Sequence, residues 1–173
     1  GIVVSSKETG DWYRNKFTDV KVTYLPIVPS SIDFRNDLED AIAISKRNIL
    51  KYDLGGKKVV LFVGRIVREK GVDVLIEQFS KLHEENVVLL IVGSNEGNFG
   101  SDEKSYVDIR QYRHLNNVCF VGRHDGLDLL SFYNIGGWLI LPSFFEPFGA
   151  VVNEALIFGN FIVCSSVAGS ICL

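Results

Sequence analysis

The sequence predicts an α/β fold in which an open parallel sheet carries helices on both faces. Short runs rich in β-branched residues alternate with amphipathic stretches of helical length, a pattern typical of strand–helix–strand units. The run Val87–Val92 is apolar at every position, which indicates a strand covered on both sides. The stretch Val72–His83 repeats apolar residues every three or four positions, which indicates a helix with one face against the sheet.

The predicted elements fall into two parts. The first part predicts a strand at Ile2–Ser5, a helix at Thr9–Phe17 and a strand at Val20–Leu25. Prolines and small polar residues in Pro26–Asn36 then predict a hinge between domains. The second part predicts helices at Leu38–Lys51, Val72–His83, Glu103–Leu115, Leu127–Tyr133 and Ala150–Phe158, and strands at Lys58–Val63, Val87–Val92, Val118–Val121, Trp138–Leu141 and Phe161–Ser165.

We therefore expect two units, residues 1–35 and residues 36–173. The chain contains no methionine, and it stops soon after the last predicted strand without a closing helix. These two observations predict that both ends are boundaries within a longer protein, with the second domain truncated at its carboxyl end.

Composition argues against several classes of partner. The chain has 18 basic and 21 acidic residues and a net charge of −3, so no basic excess indicates a nucleic-acid partner. The longest apolar runs have the length of strands and fall short of the roughly 20 residues of a membrane-spanning helix. Charges throughout residues 1–20 argue against a signal peptide, so we expect a cytoplasmic protein.

The three cysteines, Cys119, Cys164 and Cys172, lie in or near apolar runs. Their number is odd and their spacing fits no metal site. We therefore expect buried, reduced thiols.

A first group of candidate ligand-binding residues follows the predicted strand Lys58–Val63. Gly64-Arg65 and Lys70 stand there, and the carboxyl ends of parallel strands are where ligands bind in open α/β sheets. Arginine offers a planar fork for phosphate oxygens, and lysine offers a point charge, so the pair suits a diphosphate. The alternative is a solvated loop, because Glu69 and other charges lie between the two cations.

A second group lies in residues 142–149, which lead from a predicted strand into the helix Ala150–Phe158. The start of a helix presents unpaired N–H groups that suit an anion, and Gly149 would allow close approach of the backbone. Glu146 and Glu154 could accept hydrogen bonds from the hydroxyl groups of a polyhydroxylated ligand. The alternatives are an acid favoured by the helix dipole for Glu146 and an exposed helix residue for Glu154.

A third group is formed by glycines at the ends of other predicted strands, Gly93 and Gly122. Arg123 and His124 follow Gly122, which places His124 where it would border a ligand. The spacing of the glycines after Val92 does not match the dinucleotide-binding fingerprint, and no Walker-type phosphate loop is present. A nicotinamide-dependent enzyme is therefore disfavoured.

Together, these stretches resemble the group 1 family of retaining glycosyltransferases, whose GT-B architecture has two facing Rossmann-like domains. The most specific stretch is the pair of glutamates with seven residues between them, Glu146 and Glu154, together with the Pro-Phe-Gly that follows the first. The other matching stretches are Leu61–Asp73 with its glycine-arginine and lysine-glycine pairs, Phe120–Gly122, and Leu25–Asp33 as an interdomain linker.

The resemblance implies a catalytic set of Arg65, Lys70 and Glu146. The two cations would bind the donor diphosphate and stabilise the charge that develops on the leaving group. Glu146 would contact hydroxyl groups of the transferred sugar. The implied donor-binding set comprises Gly64, Arg65 and Lys70, the base-pocket residues Gly122 and Arg123, the sugar-contacting Glu146, the backbone amides of Phe148, Gly149, Ala150 and Val151, and the ribose-binding Glu154.

The resemblance also implies the reaction and its partners. A hexose would pass from a UDP-sugar or GDP-sugar to a carbohydrate or lipid-linked acceptor, commonly in polysaccharide biosynthesis. Attack would occur on the front face of the sugar, with the leaving phosphate taking the acceptor's proton. No metal or other cofactor is expected, because the two cations neutralise the diphosphate.

The acceptor would bind an amino-terminal domain of which residues 1–35 are the end, and residues 36–173 would be the Rossmann-like donor domain. We expect the fragment of residues 1–173 alone to be inactive. Peripheral association of the full-length enzyme with a membrane surface is left open. The alternative is a non-catalytic Rossmann-like nucleotide-binding module, or a degenerate transferase that serves as a partner subunit.

Overall fold

Two parallel sheets form the framework of the chain in the computed structural model, which describes residues 1–4, 7–24, 37–82, 84–95 and 105–169. The smaller sheet pairs β1 (Ile2–Val4) with β2 (Val22–Tyr24), and α1 (Lys7–Lys16) connects them. This confirms the predicted strand–helix–strand unit. The predicted hinge at Pro26–Asn36 lies outside the described residues, so the division at residue 35 stays a prediction.

The larger sheet has five strands, and every neighbouring pair is parallel. In space the strands follow the order β5-β4-β3-β6-β7. The elements of this part are α2 (Asp37–Lys51), β3 (Lys58–Val63), α3 (Val72–Phe79), β4 (Val87–Val92), β5 (Val118–Gly122), α4 (Gly126–Ile135), β6 (Trp138–Leu141), α5 (Ala150–Ile157) and β7 (Phe161–Cys164).

Alternate residues of β3 serve the two faces of this sheet, because successive side chains of a strand lie on opposite sides. Leu61 belongs to a buried cluster that includes residues of α2, α4 and α5. Phe62 belongs to a second cluster with residues of α3 and with Val107. The predicted α/β class, a parallel sheet with helices on both faces, is confirmed.

The predicted helix Glu103–Leu115 is wrong where the structure describes it. Residues 105–115 contain a short 3-10 helix, Ile109–Tyr112, in place of an α-helix. Asp108 caps this turn, since its carboxylate accepts a 3.0 Å hydrogen bond from the backbone N–H of Arg110. The N–H of Val107 donates to the carbonyl of Ile66 at 3.1 Å, so the backbone here makes tertiary bonds instead of helical ones.

Two cysteines also depart from prediction. Cys119 and Cys164 are free thiols, but both are only partly buried. Each lies on an edge strand of the large sheet, β5 or β7, where cover is incomplete. Cys172 lies outside the described residues. Within the described ranges, no helix combines the length and apolar character that crossing a bilayer demands.

Candidate functional site

The strand order places a switch point, and with it the crevice expected of an open α/β sheet, between β3 and β6. These two strands are neighbours, yet the chain continues from β3 towards β4 on one side and from β6 towards β7 on the other. The following helices separate accordingly, because α3 packs on one face of the sheet and α5 on the other. In open α/β sheets, ligands bind at such a switch point, outside the carboxyl ends of the strands.

An ion pair spans this crevice. Lys70, in the turn after β3, places its Nζ 2.8 Å from Oε2 of Glu146, in the loop after β6. The side chains are only 12% and 14% exposed. The same Nζ lies 3.4 Å from the carbonyl oxygen of Phe145. Two residues that the sequence placed after different strands are therefore in direct contact.

The backbone around Gly71 brings the two loops together. Gly71 ends a 3-10 turn, Arg68–Lys70, with a left-handed φ of 66°, a conformation that favours glycine. A Cβ at this position would overlap the carbonyl oxygen of Pro142. The N–H of Phe144 donates to the carbonyl of Glu69 at 2.8 Å. A glycine is thus needed for the close approach that lets Lys70 reach Glu146.

The chain beyond β7 holds the same loop from the other side. The hydroxyl of Ser165 donates to the carbonyl of Ser143 at 2.7 Å. The N–H of Gly169 donates to the carbonyl of Glu146 at 3.0 Å, and Ala168 forms a bridge with Glu146. The backbone of Glu146 is therefore fixed by bonds from a third segment.

The loop ends at the start of α5. Gly149 adopts a left-handed conformation, with φ of 84°, and no side chain caps the helix. Its carbonyl accepts from the N–H of Val152 at 2.9 Å. The N–H groups of Ala150 and Val151 have no acceptor within α5, because no helical carbonyl groups precede the first turn of a helix. Phe148, just before Gly149, is buried and anchors the turn.

Glu154 lies in the second turn of α5 and meets a tyrosine rather than a cation. Its Oε2 accepts a 2.6 Å hydrogen bond from the hydroxyl of Tyr133 on α4. Burial raises the pKa of Tyr133, and the charge of Glu154 and the hydrogen bond to it raise this pKa further. The phenol therefore keeps its proton and remains a donor.

A cavity of about 290 Å³ opens at the carboxyl ends of β3, β4 and β5. Its lining includes the predicted residues Gly64, Arg65 and Arg123, together with Gly93 and His124. Outside this set, sequence reasoning missed several lining residues. These are Val63, Val92, Ser94, Tyr106, Asp125 and Leu129.

Ion pairs at the cavity balance its charges. Nη2 of Arg65 lies 3.6 Å from Oε1 of Glu69, and the same oxygen lies 3.8 Å from Nζ of Lys70. Nε of Arg123 lies 3.1 Å from a carboxylate oxygen of Asp125. Arg65 is thereby linked through Glu69 to the Lys70 side of the crevice. Each cation meets a carboxylate that an incoming anion would have to displace or share.

The structure brings some predicted residues together and leaves others apart. Lys70 contacts Glu146 directly, and Arg65 connects to Lys70 through Glu69. The cavity lining does not contain the remaining predicted residues, which are Lys70, Gly122, Glu146, Phe148, Gly149, Ala150, Val151 and Glu154. The predicted roles of all these residues stay predictions. Among the described residues, no three His, Cys, Asp or Glu side chains are grouped to hold a metal ion.

Tyr106 and Tyr133 were not among the predicted site residues, and they differ in whether the sequence carried a signal for them. Tyr106 lies in the segment predicted as a helix, and its place depends on a bridge to Val67 that no local pattern encodes. Tyr133 carried a signal, because a tyrosine on an apolar helix face needs a partner for its hydroxyl once buried. That requirement could have pointed to a carboxylate nearby.

A family model agrees with this arrangement. The model described as "Glycosyl transferases group 1" matches residues 46–172. An uncharacterized glycosyltransferase of Methanocaldococcus jannaschii is 36% identical over 155 residues, which are 87% of this chain and 37% of that protein.

Solved structures share the fold. The sucrose-phosphate synthase of Thermosynechococcus elongatus superposes with a TM-score of 0.72 at 25% identity, covering 96% of this chain and 41% of that one. The Anabaena protein HepE, in complex with UDP-glucose, superposes with a TM-score of 0.73 at 20% identity, covering 98% and 45%.

The chain thus spans less than half the length of each of these relatives. The family match nevertheless extends over most of its residues, from α2 through the crevice to the segment after β7. The chain belongs to the group 1 family of glycosyl transferases.

Proposed function

We propose that this chain is the donor-binding half of a retaining glycosyltransferase that transfers a hexose from a nucleoside-diphosphate sugar. The observation that carries the proposal is the Lys70–Glu146 pair across the switch point, which brings a cation and an acid into contact at the ends of two neighbouring strands. Arg65 lies on the same loop as Lys70, and the start of α5 follows Glu146 by a few residues. A diphosphate and a sugar need these two kinds of group side by side.

Each group then has a task in transfer. Arg65 and Lys70 bind the diphosphate, and they stabilise the negative charge that grows on it as the glycosidic bond breaks. Glu146 accepts hydrogen bonds from hydroxyl groups of the hexose, and the amides at the start of α5 meet the sugar and phosphate oxygens. Glu154 holds the ribose. Gly64, Gly122 and Arg123 border the base.

Proton transfer needs no protein base in this proposal. The acceptor hydroxyl attacks on the face that the diphosphate leaves, and an oxygen of the leaving phosphate takes the acceptor's proton. The two cations supply the charge neutralisation that a metal would supply elsewhere. The acceptor, a carbohydrate or a lipid-linked sugar, binds a partner domain to which residues 1–35 belong.

A uridine nucleotide is the first donor to test. The HepE structure holds UDP-glucose, and this chain covers 45% of that protein in the same fold. Because 20% identity shows the fold alone, GDP and ADP belong in the same panel.

The test uses the full-length enzyme. Calorimetric titration with UDP, GDP and ADP should find binding by at least one, and incubation with the matching sugar donors should release the nucleotide. We expect Arg65→Ala and Lys70→Ala each to lower the rate of release by roughly 100-fold or more, the usual cost of losing a charge-stabilising donor. Arg47→Ala is the matched control, since Arg47 pairs with Asp128 between α2 and α4.

The outcomes separate the readings. No binding by any of the three nucleotides, with Arg65→Ala without effect, would overturn the proposal. Tight nucleotide binding without release from any sugar donor, with either water or an added carbohydrate as the acceptor, would instead identify a non-catalytic module. Loss of release in Arg47→Ala as large as in Lys70→Ala would show that the effect reflects stability.

A further inference from the structure

A buried tyrosine donates a hydrogen bond to one of the two glutamates. Tyr133 is 0% exposed, and its hydroxyl donates the 2.6 Å hydrogen bond to Oε2 of Glu154. Glu154 itself is only partly buried. The tyrosine therefore reaches from the core to the side chain that lies nearer the surface, and it has no surface of its own with which to touch a ligand.

The tyrosine ring and backbone are fixed by neighbouring elements. The ring stacks on Phe158, with centroids 6.1 Å apart and an angle of 19° between the planes. The side-chain amide of Asn160 donates to the carbonyl of Tyr133 at 2.9 Å and to the carbonyl of Ala155 at 3.1 Å. These bonds tie the end of α4 to α5, the helix that carries Glu154. The phenol oxygen thus has a defined position relative to that carboxylate.

The chemistry of the pair keeps its direction constant. A neutral phenol donates one hydrogen bond, and a carboxylate accepts it while retaining lone pairs on its other oxygen. Burial and the adjacent carboxylate both raise the pKa of Tyr133, so the donor persists at neutral and mildly alkaline pH. A hydrogen bond from a fixed neutral donor restricts the rotamers of Glu154 without cancelling its charge.

We propose that Tyr133 is a positioning residue for nucleotide binding, which holds Glu154 so that its second oxygen accepts from the ribose hydroxyls. This inference rests on the proposed function, in which Glu154 meets the ribose. Tyr133 acts through Glu154 alone. It should therefore influence only ligands that carry ribose hydroxyls, and its effect should vanish once Glu154 is neutralised.

The experiment compares two ligands on the full-length enzyme. The first is whichever of UDP, GDP and ADP binds most tightly, and the second is its 2′,3′-dideoxy counterpart. Tyr133→Phe removes one oxygen atom and keeps the ring against Phe158. We expect it to weaken the ribonucleotide about fivefold to tenfold, the size of the loss of one ordinary hydrogen bond, and to leave the dideoxy ligand unchanged. Tyr112→Phe is the matched control and should change neither affinity.

A double-mutant cycle gives the second readout. Combined with Glu154→Gln, Tyr133→Phe should add no further loss, because the two residues act as one unit. Equal weakening of both ligands, or additive losses in the double variant, would reduce Tyr133 to a structural residue and overturn the inference. An unchanged ribonucleotide affinity in Tyr133→Phe, with a clear loss in Glu154→Gln, would overturn it while leaving the proposed function intact.

A second variant covers the case in which Tyr133→Phe does not fold. Glu154→Asp keeps the charge but withdraws the carboxylate from the phenol. The same selective loss for the ribonucleotide is expected. Wild-type affinity of Glu154→Asp for both ligands would overturn the inference. If none of the three nucleotides binds the wild-type enzyme, the proposed function fails first.

Discussion

The two glutamates of the signature stretch are held in opposite ways. Glu146 meets a charged ammonium from another loop, Lys70, at an entrance where both side chains retain some exposure. Glu154 meets a neutral phenol, Tyr133, that is wholly buried. The first contact joins two opposite charges, and a ligand could share either of them. The second contact joins a carboxylate to the core, and it contains no opposite charge for which a ligand would have to compete.

Under the proposed function, this difference gives the two acids different tasks in binding the donor. A diphosphate would compete with Glu146 for Lys70, so its binding would exchange one ionic contact for another. Under the same proposal, ribose hydroxyls would add to the hydrogen bond that Glu154 already accepts, so their binding would need no exchange. Ligand affinity should therefore depend mainly on charge at Glu146, and mainly on the position of the carboxylate at Glu154.

The largest expected effect breaks the crevice itself. Gly71→Ala places a Cβ against the carbonyl of Pro142 at a left-handed position, so the loops after β3 and β6 must separate. We expect the free energy of unfolding to fall by about 3 kcal/mol, the sum of backbone strain and lost packing. Chemical denaturation measures it. Gly55→Ala, where an added Cβ meets nothing within 4 Å, is the control. A loss below about 1 kcal/mol would contradict the assigned close approach.

The next effect tests the two acids against each other. Glu146→Gln frees the charge of Lys70, so affinity for the nucleoside diphosphate should rise a few-fold while the transfer rate falls about 30-fold. Glu154→Gln should lower that affinity about tenfold, because the ribose loses a charged acceptor. Calorimetry and nucleotide release measure both. The contrast fails if both variants shift affinity in the same direction.

A third effect is the pH dependence of stability, which tests the buried phenol of Tyr133. The pKa of Tyr133 is raised above its ordinary value near 10, so the native state holds this proton more tightly than the unfolded state does. The stabilisation is complete below about pH 10 and is lost as the pH rises further. Above that value the free energy of unfolding of the wild type should fall by about 1.4 kcal/mol per pH unit more steeply than that of Tyr133→Phe.

Denaturation curves at a series of pH values up to 11 measure this slope. Tyr112→Phe provides the comparison, since burial also raises the pKa of Tyr112, which is less enclosed. Identical slopes in the wild type and in Tyr133→Phe would mean that the phenol is not the group that titrates.

The smallest effect concerns the acid between the two cations. Glu69 lies within 3.8 Å of both Arg65 and Lys70 and is about half exposed. Glu69→Gln should tighten nucleoside-diphosphate binding by less than fivefold, because exposed ion pairs contribute at most about 1 kcal/mol. A higher salt concentration should reduce this difference in affinity between Glu69→Gln and the wild type. Glu39→Gln, on the exposed side of α2, is the control. Weaker binding by Glu69→Gln would contradict the idea that Glu69 competes with the diphosphate for the two cations.

Much of the sheet could be predicted from sequence, and the reason lies in the strands themselves. β3, β4 and β6 occupy the ranges predicted for them, because each is a largely apolar run flanked by polar residues, glycine or proline. Residues 105–115 could not be predicted in this way. Their turn depends on a cap at Asp108 and on a bond to Ile66 from another loop.

The site shows the same limit. Arg65, Lys70 and Glu146 could be placed at strand ends, because parallel strands end at one edge of the sheet. Their pairing could not be predicted, since it requires β3 to lie beside β6, and hydrophobic periodicity carries no strand order. Tyr133 and Glu154 are on different helices, so their hydrogen bond depends on how α4 and α5 pack.

The bonds from residues 165–169 to the loop after β6 have a practical consequence for genetics. Ala168 is buried and bridges to Glu146, and Ser165 bonds to Ser143. Substitutions at Ser165 or Ala168 would displace Glu146, the acid proposed to bind the sugar, without changing any side chain proposed to contact the ligand. In a genetic selection for loss of transferase activity, such alleles would therefore resemble active-site mutations. Their origin would be recognised only because every side chain proposed to contact the donor is unchanged.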